Sequence, residues 1–278
     1  SEAEFQKDRK TAIIAIAAYY LIFYLIGAFL SSIIVSVYTN VKGIDLSDTG
    51  GLALGDYLLI NYPSDYYTIL AINNIALYLA LITCTVLIGK KYLLKDFQSL
   101  KVDHSNFFKN VGQGILILYG ANIAASIIQS VIYSIIPIFK DITEITSQNQ
   151  QTIDNVFNNG IFSAGVVVVM TVIFAPIVEE LIFRKFFFNL FKNKTIKTII
   201  ITGAIFGAIH VTEAIIVELT ANTIDTTSIA IELVSFINYF ASGIALGYIY
   251  MKNDYNVYVT MGVHALSNLI SCFALLLL

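Results

Sequence analysis

Long apolar runs separated by short polar segments dominate the chain. We interpret these runs as membrane helices, which need roughly 17 to 25 apolar residues to cross a bilayer. They cover residues 12–38, 66–89, 111–139, 161–191, 196–210, 229–250 and 257–278. The segment Val211 to Asn222 is also apolar but contains two glutamates, so we interpret it as a half-helix or a re-entrant piece. The pattern predicts seven membrane helices, or eight if this segment crosses fully.

Composition supports the same class. Hydrophobic residues make up 57% of the 278 residues and charged residues 13%, and the mean hydropathy is +0.78. A soluble core could not bury so much apolar surface. We therefore predict an all-α, polytopic transmembrane helix bundle in which residues 1–278 form one integral membrane domain. The two cysteines, Cys84 and Cys272, lie in separate apolar runs and indicate no disulfide framework.

Loop charges predict the orientation in the membrane. If the amino terminus is cytoplasmic, 14 of the 16 lysines and arginines lie on the inner side, and only Lys42 and Lys140 lie outside. The outer loops then carry the acidic residues Asp45, Asp48, Asp56, Asp65, Asp141, Glu144, Asp154, Glu213, Glu218 and Asp225. This division follows the positive-inside rule, and an eighth crossing would spoil it. We prefer seven crossings with an outer carboxyl terminus.

A few chemically reactive side chains interrupt the apolar runs. They are Glu179, Glu180 and Arg184 in one run, His210 in the next, and His264 with Asn268 in the last. An unpaired charge in a membrane helix costs roughly 2.5 to 3.5 kcal/mol on insertion scales, so such a cluster indicates function.

These groups are predicted to lie at a similar depth. With about 1.5 Å of rise per residue, Glu179 lies roughly 18 Å from the inner end of its helix, and His210 roughly 21 Å. His264 and Asn268 lie roughly 12 and 18 Å from theirs. They would form one intramembrane layer if the helices pack with these faces together. Glycines spaced for close helix approach support such packing. They are Gly203 with Gly207 and Gly243 with Gly247.

The two adjacent glutamates are expected to differ. Glu180 and Arg184 are four residues apart on a helix, so they can form a structural ion pair. Glu179 points about 100° away from Glu180 and can face a cavity as a general base, with His210 holding or sharing the proton. Pro176 removes a backbone hydrogen bond and is expected to open the helix beside the site.

Three short motifs together carry a family resemblance. EELIFR at Glu179 to Arg184 fits EExxxR, FGAIH at Phe206 to His210 fits FxxxH, and HALSN at His264 to Asn268 fits HxxxN. In this order and apolar context they resemble the CPBP family, also called Abi. That family includes CAAX prenyl proteases and bacteriocin-processing or immunity proteins. The resemblance covers residues 160–278, and the earlier residues agree only in being helical membrane sequence.

The resemblance implies an intramembrane endopeptidase of the glutamate type. In that mechanism Glu179 activates a water with help from His210. The water attacks a peptide carbonyl, and His264 and Asn268 donate hydrogen bonds to the developing oxyanion. The neighbouring ion pair orients these four groups.

The expected reaction needs no cofactor. The alternative is a zinc ion held by Glu179, His210 and His264, with one position open for water. The sequence lacks HExxH and any other close pair of histidines, so three separate helices would have to hold the metal. We therefore prefer hydrolysis without a metal.

Two classes of function fit the sequence. The first is the protease, acting on a membrane-embedded or lipidated peptide or protein such as a bacteriocin precursor or a CAAX protein. The second is a non-proteolytic membrane partner, such as a bacteriocin immunity protein or a regulator of a membrane sensor kinase. A transporter is disfavoured because no repeat symmetry is visible. We expect the lipid bilayer as a partner, no nucleic acid, and a bacterial cell membrane as the location.

Overall fold

The computed structural model describes residues 1–278 apart from 48, 103, 141–144, 222 and 278, and the side chains of 101–105 and 276 are also outside the description. The chain is 87% helix, with no strand within the described residues. The all-α prediction is therefore confirmed. Both cysteines are free thiols. Of the residues in the predictions above, Asp48, Asp141, Glu144 and Asn222 lie outside the described part.

The described residues form nine helices and one short 3₁₀ turn, Pro137–Phe139. Two of the helices contain π-helical stretches: Leu21–Ile26 in the first, and Met170–Phe174 and Glu180–Phe186 in the sixth. The helices are α1 (Glu2–Lys42), α2 (Leu54–Asn61), α3 (Pro63–Val102), α4 (His104–Ile135), α5 (Gln148–Phe157), α6 (Ile161–Asn189), α7 (Ile196–Thr220), α8 (Thr226–Lys252) and α9 (Val257–Leu277). Within the described chain, seven of them, all except α2 and α5, are long and apolar enough to cross a membrane. This confirms the predicted number of seven.

The prediction of a break after His210 is wrong. Helix α7 continues without interruption to Thr220, which gives it 25 residues and a length of roughly 37 Å. The two glutamates do not break it because they lie near its carboxyl-terminal end. Glu213 is exposed, and Glu218 accepts hydrogen bonds from Gln148 and Ser228. Residues 211–220 therefore belong to the same crossing as His210.

Helix α6 lies at the centre of the bundle. Its carboxyl-terminal part, residues 180–189, contacts α1, α3, α7, α8 and α9. The side chains of Leu181, Ile182, Phe183 and Phe186 are at most 1% exposed. The aromatic residues of this stretch are therefore core residues, and they fix the helix that carries both glutamates.

Helices α7 and α8 approach each other backbone to backbone. A methyl group added at Gly243 would lie 2.8 Å from the Cα of Gly203. A methyl group at Gly207 would lie 3.0 Å from the backbone nitrogen of Phe240. The close approach predicted from the glycine spacing is confirmed, and it sets the helix of His210 directly against α8.

Amide and hydroxyl side chains tie α8 to α4 on its other side. Gln129 donates to the carbonyl of Val234 over 2.9 Å and accepts from Asn238 over 2.5 Å. One turn further along, Ser242 donates to Asn122 over 2.8 Å. Such bonds between helices are favourable in a bilayer because no water competes for the polar groups. Helix α8 is therefore held on both sides.

Candidate active site

The ion pair predicted within α6 is present and fully buried. Nε of Arg184 lies 3.0 Å from Oε2 of Glu180, and both side chains are 0% exposed. The guanidinium carbon lies 5.0 Å from the centre of the Phe206 ring on α7, a distance at which a cation is attracted to an aromatic face. The pair thus joins the core of α6 to the neighbouring helix.

His264 of α9 completes this charged group. Its Nδ1 lies 3.0 Å from Oε1 of Glu180, and its Nε2 lies 3.9 Å from Oε2 of Glu179. Because an ionised carboxylate only accepts hydrogen bonds, we assign the bonding proton to Nδ1. A carboxylate bonded to one ring nitrogen fixes the orientation of the other. Glu180 therefore aims Nε2 of His264 toward Glu179.

The distance between Glu179 and His264 suits a bridging water molecule. At 3.9 Å the two atoms are too far apart for a direct hydrogen bond. A water beside the line joining them could contact both at about 2.8 Å. Glu179 is 12% exposed, whereas Glu180 is 0% exposed. The adjacent glutamates thus occupy different environments.

Two tyrosines from the first part of the chain face Glu179. Tyr78 of α3 and Tyr19 of α1 both lie near enough to the Glu179 carboxylate to interact with its charge. Tyr19 is 6% exposed. The sequence analysis missed both residues, since each lies in an ordinary apolar run with no motif to mark it.

His210 is held by different contacts. Its Nδ1 lies 2.7 Å from the carbonyl oxygen of Phe206 one turn earlier, and its ring centre lies 4.5 Å from that of Phe206 and 4.5 Å from that of Tyr239 on α8. Within the described residues, no ion pair of 4.0 Å or less joins His210 to Glu179. Phe206 contacts both histidines, because its ring centre also lies 6.5 Å from that of His264. A proton shared between His210 and Glu179 stays a prediction.

Asn268 is bound to an irregular part of α6. Its amide donates to the carbonyl of Thr171 over 2.6 Å, within the π-helical stretch Met170–Phe174. In a regular helix this carbonyl would accept from Ala175, but the N–H of Ala175 bonds to Met170 instead. The next residue, Pro176, has no N–H to offer. Asn268 satisfies the carbonyl that is left over, and the predicted opening of the helix at Pro176 is present.

A second buried ion pair lies toward the predicted inner side of the site. Lys185 lies 2.6 Å from Oδ2 of Asp96 on α3 and donates to the carbonyl of Tyr255 over 3.0 Å. The same carboxylate oxygen accepts the N–H of Val257, at the start of α9, over 3.0 Å. This network joins α6 to the start of the helix that carries His264. The sequence analysis counted Lys185 only as a topology signal, and a lone acid among lysines at the end of α3 was the available clue to Asp96.

The described residues contain no group of three His, Cys, Asp or Glu side chains arranged to hold a metal ion. Glu179 and His264 are neighbours, but Nδ1 of His264 is used by Glu180 and Nδ1 of His210 by a backbone carbonyl. The alternative zinc set of Glu179, His210 and His264 is thus not gathered as ligands. A reaction without a metal stays a prediction.

The fold and this site define an integral membrane protein in which two carboxylates of α6 and the His264 imidazole of α9 meet inside the helix bundle. Residues 161–270 match the Rce1-like family, described as Type II CAAX prenyl endopeptidase Rce1-like. This part of the chain is therefore similar to a family of proteases, in agreement with the motif resemblance. No curated protein and no solved structure matches the chain.

Proposed function

We propose that this protein is an intramembrane endopeptidase that hydrolyses peptide bonds in membrane-associated peptides or CAAX-type proteins. One observation carries the proposal. Glu179 lies 3.9 Å from Nε2 of His264 inside the membrane bundle, within residues that match a protease family. A carboxylate beside an oriented imidazole can activate a water and stabilise the charge that develops on a carbonyl.

In the proposed reaction Glu179 accepts a proton from a water held between it and His264. The water oxygen forms a bond to the peptide carbonyl carbon, and the carbonyl oxygen becomes an oxyanion. Glu179 then passes the proton to the leaving amine as the carbon–nitrogen bond breaks. The same carboxylate thus serves as base and acid, so atoms and protons balance without a cofactor.

The oxyanion would be stabilised from α9. His264 in its imidazolium form donates from Nε2, while Glu180 holds its Nδ1. An amide carries two N–H groups, so Asn268 keeps one for the oxyanion while the other bonds to Thr171. Removing one such donor costs roughly 10² to 10³ in rate. Nε2 of His210 is assigned to share the proton of Glu179, since its Nδ1 is already engaged.

The substrate class follows from the location of the site. Glu179 lies in a membrane helix and is largely buried, so the scissile bond has to reach it from the bilayer or its surface. Prenylated CAAX proteins would be unexpected in a bacterium. For a bacterial source we therefore assign the maturation of membrane-associated peptides, such as bacteriocin or signalling-peptide precursors.

The test compares cells that produce the wild-type protein with cells that produce Glu179→Gln, using mass spectrometry of membrane and secreted peptides. A general base contributes roughly 10² to 10⁴ in rate. We expect cleavage of the substrate peptides to fall by that factor while the protein accumulates normally in the membrane. The matched control is Glu213→Gln, which removes an exposed glutamate of α7. Identical peptide profiles for wild type and Glu179→Gln would contradict proteolysis and favour the binding role.

A further inference from the structure

We propose that Tyr239 is a positioning residue for His210, and that the amino-terminal end of α5 anchors Tyr239. The proposal adds a residue that none of the three motifs contains. Its consequence for catalysis rests on the proposed function, whereas the contact itself can be tested separately.

Tyr239 contacts His210 through its ring. The Tyr239 ring lies 4.5 Å from the His210 ring with an angle of 18° between their planes. This is a stacked geometry, whereas the Phe206 ring is tilted by 47° to the imidazole. The single hydrogen bond from Nδ1 to the Phe206 carbonyl fixes one ring atom of His210. The stacked face of Tyr239 is what fixes the plane of the ring, and therefore the direction of Nε2.

The hydroxyl group of Tyr239 is held by polar side chains at the start of α5. Its hydroxyl lies 3.2 Å from Oγ of Ser147 and accepts a hydrogen bond from the Asn149 amide over 3.1 Å. Ser147 is the N-cap of α5, where its Oγ also accepts from the N–H of Gln150. The phenol is thus held at both its ring and its hydroxyl.

The start of α5 is itself held in place by hydrogen bonds to α7 and α8. The backbone N–H of Gln148 donates to Glu232 of α8 over 2.6 Å, and its side-chain amide donates to Glu218 of α7 over 3.0 Å. A carboxylate at the first turn of a helix is favourable because it meets the positive end of the helix dipole. The start of α5 is therefore tied to both helices that carry the stacked rings, and it holds Tyr239 against His210.

The expected effect follows from how sensitive catalysis is to position. A catalytic group displaced by about 1 Å can cost 10²-fold in rate. We expect Tyr239→Leu to lower kcat by about 10²-fold with little change in KM, because the substrate contacts stay in place. Tyr239→Phe keeps the stacked ring and loses only the hydrogen bonds of the hydroxyl group. We therefore expect it to keep most of the activity that Tyr239→Leu loses. The pair Ser147→Ala with Asn149→Ala should resemble Tyr239→Phe in its effect on His210 and add little to it, because both remove the contacts of the Tyr239 hydroxyl. Ser147→Ala also removes the N-cap of α5, a loss of stability that Tyr239→Phe does not share.

The experiment uses the full chain in lipid nanodiscs with selectively labelled histidine, of which the chain has 3. In Tyr239→Leu, loss of the ring current of Tyr239 should shift the ring-proton resonances of His210. The resonances of the other two histidines should not shift. Tyr248→Leu is the matched control, since Tyr248 lies on the same helix and is 44% exposed. Kinetics with the substrate peptide are measured on the same variants.

Unshifted His210 resonances in Tyr239→Leu would overturn the proposal, and so would a loss of kcat in Tyr248→Leu as large as that in Tyr239→Leu. If Tyr239→Leu fails to accumulate, Tyr239→Phe and the Ser147, Asn149 double variant decide the point, because unequal effects on the His210 resonances would contradict a shared anchor. Wild-type protein that cleaves no peptide would refute the proposed function, while the resonances still report on the ring contact.

Discussion

The two sides of the site are held together by different forces. On one side Glu180 is in direct contact with Arg184 and His264 through charged groups, and both Glu180 and Arg184 are fully buried. On the other side His210 is held by two aromatic rings and one bond to the backbone. The first can be called the charged side and the second the aromatic side.

This difference teaches how each side should respond to change. Removing one member of a buried ion pair leaves the other unpaired in a medium of low dielectric, which is strongly destabilising. An aromatic pair contributes only about 0.5–1.5 kcal/mol beyond the area it buries. Substitutions on the charged side should therefore cause a large loss of stability. Substitutions on the aromatic side should cause smaller losses of stability and of activity.

The largest effect is expected from Arg184→Met. Glu180 would stay buried without its cation, and breaking such a pair costs about 3–5 kcal/mol. The free energy of unfolding of the purified protein, measured by denaturant titration in detergent, should fall by that amount. The double change Arg184→Met with Glu180→Gln should recover part of the loss, because no charge of the pair is then stranded.

The control is Lys192→Gln, which removes the ion pair with Glu2. The side chains of Lys192 and Glu2 are 63% and 57% exposed, so we expect no measurable change in the unfolding midpoint. An equal loss of unfolding free energy for Arg184→Met and Lys192→Gln would contradict the idea that the buried ion pair matters more for stability than the exposed one.

A smaller effect is expected from Gly243→Ala on the aromatic side. The new methyl group would lie 2.8 Å from the Cα of Gly203, so α7 and α8 must separate. Overpacking of this kind typically costs about 1–3 kcal/mol. Because the rings of His210 and Tyr239 stack across this same pair of helices, activity should also fall while α6 and α9 keep their contacts.

The matched control for that change is Gly120→Ala. A methyl group added at Gly120 in α4 would meet no atom within 4 Å. An alanine there should therefore be neutral or stabilising by about 0.4–1 kcal/mol. A Gly243→Ala protein as stable and active as Gly120→Ala would show that the close approach of α7 and α8 is not needed.

Sequence reasoning predicted the charged side better than the aromatic side. The spacing of Glu180 and Arg184 alone predicted their ion pair, because i,i+4 neighbours share a helix face. Pro176 predicted the helix opening, because its missing N–H is a local property of one residue. The count of seven crossings followed from apolar runs and loop charges in the same local way.

What the sequence could not predict depends on packing between distant helices. Bonding between His264 and Glu180 requires α6 and α9 to meet at one register, and no local pattern specifies that register. Stacking of Tyr239 on His210 is equally non-local, and a tyrosine in an apolar helix carries no signal of its role. The continuous α7 was missed because glutamates near its end resemble a break when their hydrogen-bond partners are unknown.

The smallest effect is expected from removing metal ions, and it tests whether a shared ion joins the two sides. A zinc held by Glu179, His210 and His264 would have to bridge the charged and aromatic sides. In the structure Nδ1 of each histidine is already bonded elsewhere, and only the two Nε2 atoms remain. We expect peptide cleavage by the purified protein to be unchanged after dialysis against EDTA and 1,10-phenanthroline, and elemental analysis to find no stoichiometric zinc. Activity that is lost on chelation and restored by added zinc would contradict this, and would mean that His210 moves toward Glu179 when the ion binds.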